Sequence, residues 1–295
     1  HRVHELAHLP YFLCDMPSVV KVRKMYEQSF VEMLDSPAPQ TAREEEDFSK
    51  LIKAIMDRHN DVVKLVARGV LELKNHNGKT PADWRIQSFL DRFYMSRISI
   101  RMLITQHLGI REPREGYAGI INLNCKPSVV ARHVADDVHG LAYRHYGDCP
   151  SIRIVDDRGI TLPYVEGHLY FMLFEVLKNA VRATLETHSE KAILPEVRVV
   201  IVGGSEDITI KVSDEGGGIP RSAMNKIWTY LFTTAEIPPT RLLEMEESNG
   251  RLGLDPMAGF GYGLPLSRLY ARYFGGNLTL MSMEGYGTDA FMYLC

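Results

Sequence analysis

Glu175, Lys178, Asn179 and Arg182 fall at i, i+3, i+4 and i+7 within the run 171–184, so they share one face if that run is helical. An acid, a carboxamide and two cations on one stripe could hold a metal ion and the phosphates that it bridges. The same pattern also describes the solvated face of an ordinary amphipathic helix. Three further segments bear on the choice. Asp214-Glu215-Gly216-Gly217-Gly218 follows a strand-like run. An ionised Asp accepts hydrogen bonds and donates none, so Asp214 can take the exocyclic amine of adenine and refuse the carbonyl of guanine. Gly216 and Gly218 let backbone approach a base with no Cβ in the way. Gly259-Phe260-Gly261-Tyr262-Gly263-Leu264 opens a helical pattern, where exposed N–H groups and the helix dipole favour a phosphate. Thr233 and Thr234 offer hydroxyls to a phosphate or a ribose. Each segment alone is weak, because D-x-G-x-G also makes hairpin turns and alternating glycines also make linkers. The glycine spacing is not that of a Rossmann fingerprint, and there is no G-x-x-x-x-G-K-[ST]. All of them together, in this order, are hard to assign to chance.

The elements that must position these residues divide the chain in two. Residues 1 to about 110 read as helices. Pro17 can open one that runs through Val20, Val22, Met25, Phe30 and Leu34, before a break at Ser36-Pro37-Ala38-Pro39. The acidic start Glu44-Glu45-Glu46-Asp47 suits the positive end of a next helix, 48 to about 73, which Asn75-His76-Asn77-Gly78 terminates. Pro81 or Asp83 opens another, with Ile86, Phe89, Leu90, Phe93, Ile98, Leu103 and Ile104 at helical spacing. Three to four such helices without strands imply a bundle. Composition shifts to Pro, Gly and charge around Gly109–Gly119, which places the boundary between a helical domain (1–112) and a second domain (113–295). There, strands are expected at 119–123, 152–155, 197–202 and 208–212. Helices are expected at 127–146, 167–188 and 264–274, and a closing hairpin at 278–281 and 290–293. That alternation suggests an α+β sandwich, a mixed sheet with a helical layer on one face. The insert 236–256, acidic and carrying three prolines and two glycines, reads as a lid.

Composition narrows the class without choosing the chemistry. The 295 residues are 45% hydrophobic and 24% charged, enough to bury a sizeable core. A net charge of −3 gives no electrostatic attraction toward nucleic acid, and no run of 18 apolar residues exists to span a bilayer. Cys14, Cys125, Cys149 and Cys295 have no C-x-x-C spacing and read as reduced thiols. The chain opens on His1 and ends at Cys295, so trimmed ends are expected, with any targeting peptide outside them.

The three glycine- and Asn-bearing segments resemble the N, G1 and G2 boxes of the GHKL (Bergerat-fold) ATPase/kinase superfamily. Longer stretches narrow the likeness: 58–63 (Arg-His-Asn-Asp-Val-Val), 89–103, 267–274 and 283–290 look like the mitochondrial pyruvate dehydrogenase kinases. That resemblance implies a protein serine kinase that uses Mg-ATP, with K⁺ as a further candidate ion, in the mitochondrial matrix. It implies that Asn179 coordinates Mg²⁺, that Asp214 reads adenine, and that Thr233, Thr234 and 259–264 hold the nucleotide. Glu175 would be the base that activates the substrate hydroxyl, with His59 beside it, although His59 also reads as a structural histidine. Lys178 and Arg182 would stabilise phosphate charge or merely pair with Glu or Asp. Tyr26, Ser29, Arg97 and Arg101 match an inhibitor pocket for pyruvate-like acids, although the two arginines also suit interhelical ion pairing. The implied partners are the pyruvate dehydrogenase E1 alpha subunit as substrate, a second copy of the chain, and the lipoyl domain of E2. The last docks through an N-terminal helix and a C-terminal tail that these residues do not include.

Three other readings compete. Phe232 to Glu236 is closer to the branched-chain ketoacid dehydrogenase kinase, which lacks the Phe93-Tyr94 pattern. His4-Glu5-Leu6-Ala7-His8-Leu9-Pro10 superficially resembles the phosphoacceptor box of a sensor histidine kinase, with its Pro one residue too far along. A GHKL clamp ATPase would place the nucleotide domain first, whereas here a helical domain precedes it.

Overall fold

In the computed structural model, the described residues are 2–77, 83–156, 158–191, 193–204, 207–232 and 261–295. They fall into two compact units that divide between residues 113 and 114.

The first unit is helical. It comprises α1 (Arg2–Ala7), a 3-10 segment at Pro10–Asp15, α2 (Pro17–Asp35), α3 (Ala42–Arg58), α4 (Val62–Asn77) and α5 (Trp84–Arg111). Pro17 supplies the fixed φ that suits a first helical position. Thr41 and Glu44 close a reciprocal capping box at the start of α3. Asp83 caps α5 by accepting from the N–H of Arg85 at 2.9 Å. The single helix expected over 48–73 is two. The α-helix stops at Arg58, His59 leaves helical geometry (φ −88°, ψ 9°), and α4 begins at Val62. Asn60 and Asp61 lie in the turn between them, and such side chains compete with helix hydrogen bonding. The core of the unit gathers Leu6, Leu13, Val19, Val22, Val66, Leu73, Phe89, Leu90 and Phe93.

The second unit is an α+β sandwich. In order it comprises β1 (Tyr117–Ala118), β2 (Ile121–Cys125), α6 (Pro127–Tyr146), β3 (Ile152–Val155), β4 (Leu162–Tyr164), α7 (Glu166–Thr187), β5 (Val197–Gly203), β6 (Ile208–Asp214), α8 (Arg221–Met224), α9 (Gly263–Tyr273), β7 (Asn277–Met283) and β8 (Gly287–Leu294). Five strands form a mixed sheet in the order β3-β5-β6-β8-β7, parallel between β3 and β5 and antiparallel elsewhere. A small antiparallel sheet, β1-β2-β4, completes the unit. The strand expected at 119–123 is its middle strand β2, shifted by two residues, whereas β1 and β4, of two and three residues, are too short to give a periodic signal.

Strand alternation gives the large sheet one apolar face. Val197, Val199 and Ile201 on β5, Ile208, Ile210 and Val212 on β6, and Ala290, Met292 and Leu294 on β8 are all buried. They form one core with Leu169, Met172, Leu173, Val176, Leu177, Ala180 and Val181 of α7. Each fully buried aliphatic side chain contributes roughly 1.5–3 kcal/mol, so α7 is the best anchored helix of the unit. No described helix is long and apolar enough to cross a membrane.

Candidate active site

The inward positions of β6 continue beyond the apolar core to Asp214, which pairs in register with Thr288 at the start of β8, just as Val212 pairs with Ala290. Period-two geometry therefore turns Asp214 toward the α7 side of the sheet. There a cavity of about 360 Å³ opens, within the range of small-molecule sites. Val212, Ile219, Ile227, Leu280 and Ala290 supply apolar wall, and Glu175, Asn179, Arg182, Asp214 and Thr288 supply polar groups.

Asp214 is held by its own turn. Its Oδ1 accepts from the backbone N–H of Gly216 at 2.8 Å and of Thr288 at 3.3 Å. Among the described residues, Oδ2 takes no hydrogen bond, so it remains to accept from a ligand. Burial raises the carboxyl to about 6, with the two backbone N–H groups pulling the other way and the Asp289 charge adding to the rise. Gly216 is where α7 and this turn meet. A Cβ built there would stand 2.7 Å from the Ala183 carbonyl carbon and 2.8 Å from the Thr184 nitrogen. The helix could therefore not approach Asp214 as it does past any other residue.

On α7 the four residues expected to share a face separate by depth. Glu175, Asn179 and Arg182 line the cavity, and Arg182 Nε lies 3.4 Å from Glu186 Oε1 one turn on. Lys178 does not line it. The helix rotates this residue inward, where it is completely buried, 2.9 Å from Glu175 Oε1 and 5.4 Å from the centre of the Phe174 ring. A phosphate contact from Lys178, one of the roles the sequence suggested, is thus not what this geometry provides.

Gly261, just before α9, and the first residues of the helix, Gly263 and Leu264, complete the wall. Tyr262, at the helix N-cap, makes no capping hydrogen bond through its side chain, which leaves the first N–H groups of α9 uncapped by it. Tyr262 itself does not line the cavity; it is buried with its ring 5.2 Å from that of Tyr230. Thr233, Thr234, Gly259, Phe260 and the expected lid at 236–256 lie outside the described residues.

Sequence reasoning missed the apolar walls and Thr288. Their signal was present in the alternation of β6 and β8, but only the pairing register shows which inward positions stand beside Asp214.

A second gathering lies inside the helical unit. His59 is buried, with Nε2 3.0 Å from Ser29 Oγ and 3.3 Å from the Met25 carbonyl oxygen, and the Tyr26 ring meets it edge-on at 4.4 Å. Arg97 donates to the His59 carbonyl at 2.9 Å, and Arg101 to the Met56 carbonyl at 3.2 Å and to Asn60 Oδ1 at 3.3 Å. The two guanidiniums thus sit at the carboxyl end of α3, where cations are favoured. Burial lowers the His59 pKa, and the charges of Arg97, Arg58 and Arg101 lower it further. The same neighbourhood, through burial, raises the Tyr26 hydroxyl.

Comparison with known proteins follows this division. Residues 1–122 match the family described as mitochondrial branched-chain alpha-ketoacid dehydrogenase kinase. Residues 164–295 match the family described as histidine kinase-, DNA gyrase B- and HSP90-like ATPase. Among individual proteins, the mitochondrial [pyruvate dehydrogenase (acetyl-transferring)] kinase of Arabidopsis thaliana is 46% identical over 297 residues, 99% of this chain and 80% of that protein. The Drosophila melanogaster kinase of the same name is 42% identical, covering 98% of this chain and 72% of its own. Isozyme 1 from Homo sapiens is 40% identical, covering 98% and 68%.

Proposed function

This chain belongs to the family of mitochondrial pyruvate dehydrogenase kinases, and from that premise we propose that it transfers the γ-phosphoryl group of ATP to a serine of the pyruvate dehydrogenase E1 alpha subunit in the mitochondrial matrix. The observation that carries the reading is a single cavity lined at once by Asp214, Asn179, Glu175 and the start of α9. Asp214 Oδ2 would accept the adenine amine, and the apolar walls would enclose the ring. The N–H groups at the start of α9, which the Tyr262 side chain does not cap, suit an anion.

The residues present fit Mg²⁺. Glu175, Glu186 and Asp214 line the cavity against a single guanidinium among the described residues, that of Arg182, so a polyphosphate needs a further cation to enter. Among the described residues, the Asn179 carboxamide has no hydrogen-bond partner, and no group of three or more His, Cys, Asp or Glu side chains could hold a metal without added ligands. Mg²⁺ is well suited to such a place, since it is commonly held by one or two protein oxygens, with phosphates and water completing its shell. When bound, it would neutralise charge on the phosphates.

In the transfer itself, Glu175 takes the proton of the serine hydroxyl while the hydroxyl oxygen bonds to the γ-phosphorus. The bond from that phosphorus to the bridging oxygen breaks, and ADP leaves with that electron pair. The branched-chain alternative is not favoured, because the near full-length relatives carry the pyruvate dehydrogenase name. Incubating the chain with labelled ATP and each purified E1 component separates the two. Acid-stable label on the pyruvate dehydrogenase E1 supports the proposal, whereas label on the branched-chain E1 alone, or acid-labile label on the chain itself, contradicts it.

The cluster inside the helical unit supports a second, regulatory reading. Tyr26, Ser29, Arg97 and Arg101 gather around His59, and the role of His59 in tuning Glu175 remains part of the proposal for phosphoryl transfer. Two guanidiniums and a hydroxyl suit a small carboxylic acid of the pyruvate class. Homodimerisation and docking to the lipoyl domain of E2 belong to the same proposal. The sheet face turned away from α7, where Val202, Met281 and Met283 are exposed, supports a second copy as one partner.

A further inference from the structure

Glu175 and Lys178 form a buried pair whose two carboxylate oxygens have different surroundings. Oε1 lies 2.9 Å from the Lys178 ammonium. Oε2 is on the side of the α9 loop, where a Cβ built on Gly263 would run into it. Gly263 and Glu175 both line the cavity, and Lys178 does not. Lys178 is the larger anomaly. Its side chain is completely inaccessible, and among the described residues its ammonium meets only Glu175 and the Phe174 ring. An ammonium withdrawn from water costs several kcal/mol before any pairing, and a buried charge with one carboxylate partner is strongly tied to it.

We propose that Lys178 is a positioning residue for phosphoryl transfer: it fixes Glu175 in one orientation by binding Oε1, and so makes Oε2 the atom that receives the serine proton. The inference rests on the reading of Glu175 as the base. It departs from the role in phosphate binding that the position on the helix suggested, because a side chain enclosed behind Glu175 cannot reach a phosphate in the cavity without moving it. The charge also matters apart from the orientation. With the ammonium removed, a carboxylate buried to the same depth loses its counter-ion, so its proton is held more tightly.

The test compares Lys178→Met, which keeps the length and apolar stem, with Lys178→Gln, which keeps a hydrogen-bond donor without the charge. Each is assayed in the full chain for ADP affinity, for kcat on E1, and for the pH dependence of kcat. The expected result for Lys178→Met is ADP affinity within about twofold and kcat lowered roughly 10- to 100-fold, a part of the ~10²–10⁴-fold that a positioned base supplies. The acid limb of its pH–rate profile moves to higher pH, which a purely structural defect would not cause. Adding Lys178→Met to Glu175→Gln lowers kcat little beyond Glu175→Gln alone, as for residues acting as one unit. If Lys178→Met does not fold, Lys178→Gln is judged by its pH profile, because it retains a donor for Oε1 but not the charge. An unchanged kcat in folded Lys178→Met, or an unshifted pH profile in folded Lys178→Gln, overturns the proposal, and so does weakened ADP binding with unchanged kcat, which would make Lys178 a phosphate contact. Should Glu175→Gln keep its kinase activity, the base reading itself fails, independently of how Lys178 behaves.

Discussion

The backbone of Gly263 passes so close to Glu175 that a Cβ at that glycine would collide with Oε2 of the acid. The glycine is therefore required by the carboxylate opposite it, and not only by a turn or a phosphate. Gly263→Ala should fold, since the atom that must yield is the end of a side chain, with a stability cost within the ~1–3 kcal/mol typical of overpacking. It should lower kcat more than it weakens ADP binding, because the displaced atom is the one assigned to proton transfer. Thermal unfolding and steady-state kinetics check both, and unchanged kcat would mean that Oε2 has room to spare.

Much of this arrangement was legible in the chain, and the reasons differ from residue to residue. The helix carrying Glu175 and Asn179 has an apolar side too wide for a strand, and Asp214 closes an alternating run, so both could be placed without coordinates. Lys178 could not, because helical spacing puts it on the same face as Asn179 while its depth depends on what packs over that face. Nor could the break at His59: the apolar pattern continues across it, and only the turn-forming pair Asn60 and Asp61 marked it. Thr288 stands more than 70 residues along the chain from the carboxylate that it supports, and only strand pairing brings the two together.

Asp214→Asn tests the base contact. The amide can keep the Gly216 and Thr288 hydrogen bonds through its oxygen but turns a donor toward the ligand amine. Loss of ADP affinity by about 1–3 kcal/mol is expected for the mismatched buried pair, with discrimination against GDP reduced. Calorimetry with the two nucleotides measures this, and unaltered selectivity would remove Asp214 from base recognition.

The same carboxyl gives a pH dependence of defined sign. Its pKa in the folded protein, raised to about 6 chiefly by burial, exceeds the ordinary value of 3.8. Its contribution to stability is therefore present below about 4 and lost as pH rises through about 6. In the nucleotide-free protein, the stability of Asp214→Asn relative to the unsubstituted chain should increase between pH 4 and 6 and level off above. Adenine recognition needs the ionised form, so ADP affinity should weaken below pH 6 by up to about tenfold per unit. Referring the unsubstituted chain to Asp214→Asn at each pH cancels the titration of the nucleotide's own phosphates. A flat difference across the window would place the carboxyl's titration elsewhere.

Glu175→Gln is the most direct test of phosphoryl transfer from this cavity. The substitution preserves shape and one acceptor oxygen, and the nucleotide contacts assigned to Asp214, Asn179 and the start of α9 do not need a charge at position 175. ADP affinity should therefore stay within about twofold, while single-turnover phosphorylation of pyruvate dehydrogenase E1 falls by roughly 10²–10⁴-fold, the usual worth of a positioned base. Phosphorylation at near the unsubstituted rate, with ADP binding intact, would show that Glu175 is not the base and would contradict the account.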